Sequence, residues 1–378
     1  MSVRARLRAT VPAPLSAPGA APPEITGQPG RRLVVQRSDE VVVAQALDDD
    51  FHARPGPAVR FPAPWPRGRG AFAVAPDAGL AVFAGVHAVR AVEPSGATRW
   101  EVRHGCWSGA CPETHLSYEE YADLPDHRYP DGGSAGFSAD GTLVWAHVRG
   151  PLADGAPLPG AVDEWLLLDA VDGRVRARVD SRSTAVGSFH LAHPTDPGQM
   201  GLSIGEGQDG APLRWGRWDG QTLEVAYLED DLCLLSVSPS GDRLMTVSHD
   251  QDSLAVRDPR GAVAEGGEWD AASAVPRHPD APPPSDDEDE DDEAPVYWDW
   301  AGGFVDERTL IVSTVESDED WGRDRHWFVD TTTPAAVRPV VYPSPVAGEP
   351  MALGGGCWST LSESRDSVRV WDAPTPRG

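Results

Sequence analysis

Short apolar runs recur along this chain, each broken by a turn and followed by a second apolar run. The pattern is plain at 72–83 (FAVAPDAGLAVF), 136–147, 234–247 and 303–315, and weaker at 189–204 and 351–361. Asp140-Gly141, Ser240-Gly241 and Ala78-Gly79 sit between the paired runs, where glycine supplies the positive φ of a hairpin turn at little steric cost. A third strand then ends on an acid: Glu93, Asp169, Asp219, Asp258, Asp330 and Asp372. A carboxylate there is expected to accept hydrogen bonds from the amides of the following turn. Fourth strands are expected at 99–102, 174–179, 222–228 and 337–342.

Six copies of one four-strand unit predict an all-β chain folded as a closed β-propeller, with six recognisable blades and six or seven in all. A β-sandwich does not account for the repetition. The last repeat lacks a fourth strand, because Ala373-Pro374-Thr375-Pro376 cannot continue a ladder. The strand-rich segment 31–47 is expected to supply it, pairing with 368–371 so that an N-terminal strand closes the ring and protects both edges. If that segment also joins 58–61 in a blade of its own, the count becomes seven. The propeller is expected over 31–374, after a disordered Pro/Ala-rich tail at 1–30 and before a short tail at 375–378. Two insertions interrupt it, at 103–133 and 271–295. The second holds Pro282-Pro283-Pro284 and the acidic run 286–293, which has nothing apolar to bury and is expected to be a disordered, dispensable spacer.

Ser364-Arg365-Asp366-Ser367-Val368-Arg369-Val370-Trp371-Asp372, its degenerate copy at 248–258, and the pair Trp218-Asp219 resemble the WD40 repeat family over most of the chain. The Gly-His dipeptide that opens each repeat of that family is absent, so its Asp-His-Ser-Trp network is not expected. The resemblance implies a non-enzymatic scaffold for protein interaction. The alternative is an enzyme or ligand-binding propeller using carboxylates or a metal at its channel mouth.

Composition narrows the partners. The formal net charge is −27, from 59 acids against 32 bases, and every base is Arg. So acidic a chain excludes nucleic-acid phosphate as a partner and favours basic proteins or cations. The lack of Lys and Asn beside abundant Ala, Gly, Pro and Arg points to a high-GC, bacterial genome. Pro12, Pro14 and Pro18 interrupt any signal-peptide core, and no run is long enough to span a membrane, so a cytoplasmic protein is expected. Four Cys in such a chain do not make a disulfide scaffold.

One constellation has metal-ligand spacing. His104, Cys106, Cys111 and His115 fall within twelve residues as H-x-C-x4-C-x3-H, with the donor types that zinc prefers. Loop packing of Cys106 and Trp107 on the rim, and a Cys106–Cys111 disulfide, remain open beside zinc. The acidic tip Asp318–Asp324 does not match a calcium loop, and a solvated turn is expected. Gly205, Gly207 and Gly210 precede a strand, where a dinucleotide fingerprint needs a helix. No nucleophile elbow, His-Glu-x-x-His or P-loop occurs, so no catalytic residue or organic cofactor is assigned. Trp145, Trp165, Trp215 and Trp327 are expected between blades, and His147, His190 and His326 as hydrogen-bonded core residues.

Overall fold

The computed structural model describes residues 2–16, 19–109, 111, 113–279, 296–316, 325–333 and 337–373. They build an all-β chain of seven four-stranded blades, the sheets of a β-propeller. Contacts divide the chain into two compact units. One comprises 13–49 and 53–231 and holds the blades within 24–62, 70–103, 134–180 and 187–227. The other comprises 1–12, 50–52 and 232–378 and holds those within 232–270, 296–341 and 347–372. In each blade, strands consecutive in sequence are neighbours in the sheet, as hairpin turns require. Among the described residues, no helix is long and apolar enough to cross a membrane.

The inner strands explain the apolar runs. Leu33–Arg37 and Ala81–Gly85 are buried at every position, because both faces of each sheet are covered. Gly141 and Gly241 take φ values of 78° and 86° in the hairpins where they were expected, whereas at Ala78-Gly79 the positive φ, 55°, falls on Ala78. Four of the six strand-end acids cap their turns. Asp219 Oδ1, for example, accepts from the amides of Gln221 and Thr222 at 2.8 and 2.7 Å, and these amides hold its carboxyl below the usual range. Asp169, Asp258 and Asp330 do likewise. Glu93 and Asp372 instead pair with Arg99 and Arg6.

The N-terminal expectations need correction. Segment 31–47 does not pair with 368–371. It forms Leu33–Arg37 and Val41–Ala46, the two inner strands of a separate blade flanked by Glu24–Thr26 and Val59–Pro62, which makes the seventh. The strand beside Ser367–Asp372 is Arg6–Pro12, from within the stretch expected to be disordered. Its signal is the alternation Leu7-x-Ala9-x-Val11, masked by arginines and by the prolines that follow. Arg6 grips Asp372 with two parallel bonds of 2.8 and 2.7 Å. Just before it, Val3–Arg4 adds a fifth, parallel strand to the blade at 296–341. Val3 and Ala5 pack with Ile311, Phe328, Trp358 and Trp371. The insertion at 271–295 is described only to 279, where Asp270 caps the short helix Ala271–Ala274. The acidic run 286–293 and the tip 318–324 lie outside the described residues.

Several buried tryptophans are tied by their indole N–H groups, while those of Trp65, Trp107 and Trp145 have no partner among the described residues. Trp327 and Trp371 donate to Thr314 and Thr360, each at 2.9 Å. Trp165 donates to His190 Nε2 at 2.9 Å, which fixes the proton on Nδ1, and that nitrogen donates to Ser134 Oγ at 2.9 Å. A Trp-His-Ser chain therefore joins the blades at 134–180 and 187–227, although the missing Gly-His dipeptides argued against one. Burial lowers the pKa of His190 to about 3.

Two outcomes follow from this packing. Deleting residues 2–12 takes Val3, Ala5 and Val11 out of the core. At roughly 1.5–3 kcal/mol per buried valine the loss is about 4 kcal/mol, which should lower Tm by roughly 5 °C. An unchanged Tm would contradict the pairing. The second outcome concerns His190. Its folded pKa lies below the ordinary 6.5, so its contribution is present above pH 6.5 and is lost as pH falls towards 3. Urea unfolding at pH 7 and pH 5 should show wild type losing about 2 kcal/mol more than His190→Gln. Parallel losses would place the neutral imidazole elsewhere.

Candidate metal centre

The insertion after Thr98–Arg103 hangs from the blade by backbone contacts. His104 N bonds to His87 O at 2.9 Å and Trp107 N to Val86 O at 3.0 Å, while Gly105 N is shared between Arg149 O and Pro151 O. A Cβ at Gly105 would collide with the Gly150 carbonyl, so this crossing requires glycine. Trp107 is fully buried, with the Arg149 guanidinium 4.7 Å from its ring centre. Beyond it the chain has two 3-10 turns, Tyr118–Glu120 and Pro125–His127. Their side chains fold back over the start of the insertion. Tyr121 is fully buried, bonds to His87 Nδ1 at 2.8 Å and stacks on His127 with ring centres 5.3 Å apart.

This fold-back brings four donors together: Cys106, Cys111, His115 and His127. Their ligand atoms all lie within 4.8 Å of one another. Cys106 Sγ is 3.3 Å from His127 Nε2, Cys111 Sγ is 3.5 Å from His115 Nε2, and the two Nε2 atoms are 3.2 Å apart. Three of the four residues expected from spacing therefore meet, and His104 does not join them. It is fully buried on the blade side, where its Nδ1–H donates to Gly105 O at 2.7 Å and burial lowers its pKa to about 3. The strand continues through His104, which bridges to Leu152 and so points into the sheet packing. His127 takes its place. Spacing missed it because eleven residues separate it from His115 and only the 3-10 turns bring it back. The usable signal was modest: it is the one further His inside 103–133.

The surroundings orient these donors. The Ser108 amide donates to Cys106 Sγ at 3.3 Å, and Cys111 N bonds to Ser108 O at 2.8 Å, so the two sulfurs sit on one tight turn. Ser108 Oγ donates to Asp126 O and fastens that turn to the one carrying His127. Glu120 Oε2 lies 3.5 Å from His115 Nδ1 and accepts from Leu116 N at 3.0 Å. His127 Nδ1 has no hydrogen-bond partner among the described residues, and its ring is held by stacking on Tyr121. Burial pushes the Cys106 thiol up to about 12, and burial with the neighbouring His115 pulls His127 down. All four cysteines are free thiols, so the Cys106–Cys111 disulfide is not formed.

A cleft of about 530 Å³ opens beside the cluster. Cys111, His115 and His127 share its lining with Leu124 and Tyr129 and with the carboxylates Glu113, Asp126 and Asp131. Leu116, Leu124 and Tyr129 are 63%, 45% and 84% exposed. Sequence reasoning did not single out these apolar side chains, because nothing in their spacing distinguishes them from core residues.

Similarity to known proteins is confined to architecture. No family model matches the chain, and no curated protein matches it in sequence. Among solved structures it is similar to the β-propeller domain of Cps50 (Swd1) from Myceliophteria thermophila, at 12% identity over 81% of this chain and 96% of that one, TM-score 0.37. It is similar to the β-propeller domain of the trilobed protease from Pyrococcus furiosus, at 9% identity over 93% and 96%, TM-score 0.44. It is also similar to BBS1N, solved in complex with ARL6DN, at 10% identity over 100% and 99%, TM-score 0.49.

If the turn at Ser108 positions the cluster, Ser108→Ala should leave the blades intact and loosen the insertion. Limited proteolysis should then cut within 108–133 several times faster than in wild type. An unchanged cleavage pattern would show that this hydroxyl does not hold the two turns together.

Proposed function

We propose that this protein is a non-enzymatic, WD40-like interaction scaffold that binds a basic protein segment through the 104–133 insertion. The observation that carries the reading is the exposed apolar set on that insertion, set in an acidic cleft. Leu124 and Tyr129 offer anchoring surface, with Arg128 over the Tyr129 ring, and the cleft lining carries three carboxylates, of which Asp131 faces Arg149 at 3.8 Å. A segment with an apolar side chain among Arg or Lys residues complements both features. The net charge of −27 adds a long-range attraction for such a partner. Rigid blades presenting a variable loop are a common route to recognition, because loops can change without loss of the core.

The enzymatic alternative finds less support. Four of the strand-end acids are engaged with turn amides. Asp163, whose pKa burial raises to about 6, is fully buried; it takes the Ala185 amide at 2.7 Å and lies 2.9 Å from Arg149. The Cys/His cluster has enough donors to complete a tetrahedral shell, which leaves no open position for a substrate.

The test compares the full chain with a Leu124→Ser/Tyr129→Ser double variant as bait for host proteins, across a salt series. A partner bound through the cleft should be retained at least tenfold less by the variant, and its retention should fall as salt rises. Equal retention by both baits at every salt concentration would contradict the proposed surface.

A further inference from the structure

We infer that Cys106, Cys111, His115 and His127 form a Cys₂His₂ site for one structural Zn²⁺, and that this ion holds the 104–133 insertion in its folded form. The inference is independent of the partner reading. It rests on the distances between donors. Zinc bonds of about 2.05 Å to nitrogen and ~2.3 Å to sulfur, set at tetrahedral angles, place two nitrogens about 3.3 Å apart and a nitrogen and a sulfur roughly 3.6 Å apart. The structure has 3.2 Å between the imidazole nitrogens, and 3.3 and 3.5 Å between sulfur and nitrogen. Three of the six donor–donor distances thus match edges of a zinc tetrahedron, and all four donors, from three separate turns of chain, lie within 4.8 Å of one another.

Hydrogen bonding alone accounts for this poorly. Each Nε2 carries either one proton or one lone pair and so serves one linear hydrogen bond, yet each faces both a sulfur and the other nitrogen. Four such donor atoms within 4.8 Å of one another call for a cation among them. A disulfide would consume both sulfurs and leave the imidazoles converging on nothing. Two thiolates and two imidazoles at tetrahedral spacing select zinc over magnesium or calcium, which take oxygen.

The supports match those of a structural site. The Ser108 amide aimed at Cys106 Sγ favours a thiolate. Glu120 faces the distal nitrogen of His115, the usual place for an orienting carboxylate. Cys106, His115 and His127 are each only 4% exposed, so their polar atoms have left water and need a partner. Beyond the backbone bonds at its start, the insertion is tied to the blades through Tyr121 on His87 and Ala122 O on Arg69, and its own structure is two 3-10 turns.

The full chain, expressed in zinc-supplemented medium and purified without chelator, should contain about one zinc per molecule by elemental analysis. His127→Gln and Cys111→Ser should each lower that content at least tenfold. His104→Gln, which changes the histidine that spacing alone nominated, should keep it. Stripping zinc from wild type should speed proteolysis within 108–133 and expose two more thiols to a thiol reagent, both reversed by adding Zn²⁺. If His104→Gln fails to fold, cobalt decides on wild type: Co²⁺ should give the visible bands of a tetrahedral ion with sulfur-to-metal charge transfer. A wild-type chain that takes up neither zinc nor cobalt overturns the site. Zinc retained by His127→Gln, or iron found in its place, overturns the assignment as stated.

Discussion

Each blade in this chain has two apolar faces to cover, and the rest of the structure follows from that constraint. Inner strands such as Leu33–Arg37 and Ala81–Gly85 are buried throughout, so their sequences read as unbroken hydrophobic runs. Many polar groups that enter this space arrive with partners, though the indole nitrogens of Trp65 and Trp145 and the Nε2 of His87 have none among the described residues. Indole N–H groups find Thr314, Thr360 and His190, and Arg149 lies beside Asp163. The turns between strands spend their carboxylates on backbone amides. Four of the strand-end carboxylates are committed in this way, and the functional reading moves to the segment between blades.

The 104–133 insertion is that segment, and it answers the constraint differently. It has no sheet of its own. Apart from Trp107 and Tyr121, its buried side chains are His104, Cys106, Ser108, His115 and His127, groups that a hydrophobic core does not accommodate for free. Metal coordination turns such groups from a cost into the main cohesive force of a small loop. The exposed Leu116, Leu124 and Tyr129 sit on the outside of the same fold-back. A loop held from within can present them in one geometry, which lowers the entropy lost on binding.

Six of the seven blades were legible because turn chemistry is local: Asp140-Gly141 and Ser240-Gly241 declare their hairpins regardless of context. The seventh was visible only as an alternative reading of 31–47. The strand Arg6–Pro12 was hidden because its evidence is non-local. Its alternation is weak, Leu7 stays largely exposed, and what selects it is the unpaired edge of Ser367–Asp372 and the Arg6–Asp372 pair, 366 residues apart. The metal donors divide the same way. Cys106, Cys111 and His115 lie close enough in sequence to be found by spacing. His127 is brought in by the stacking of Tyr121 and the turn at Pro125–His127, and His104 is removed by belonging to the strand. Donor type was readable from sequence, but which histidine faced which way depended on strand register.

The most direct measurement of the central claim is X-ray absorption at the zinc edge on the purified full-length chain. A Cys₂His₂ ion should show two sulfur scatterers at about 2.3 Å and two nitrogens at about 2.05 Å, with the outer-shell pattern of imidazole rings. A first shell of oxygen and nitrogen alone would contradict it. It would place any bound zinc on the acidic surface and return the four donors to hydrogen-bonded packing.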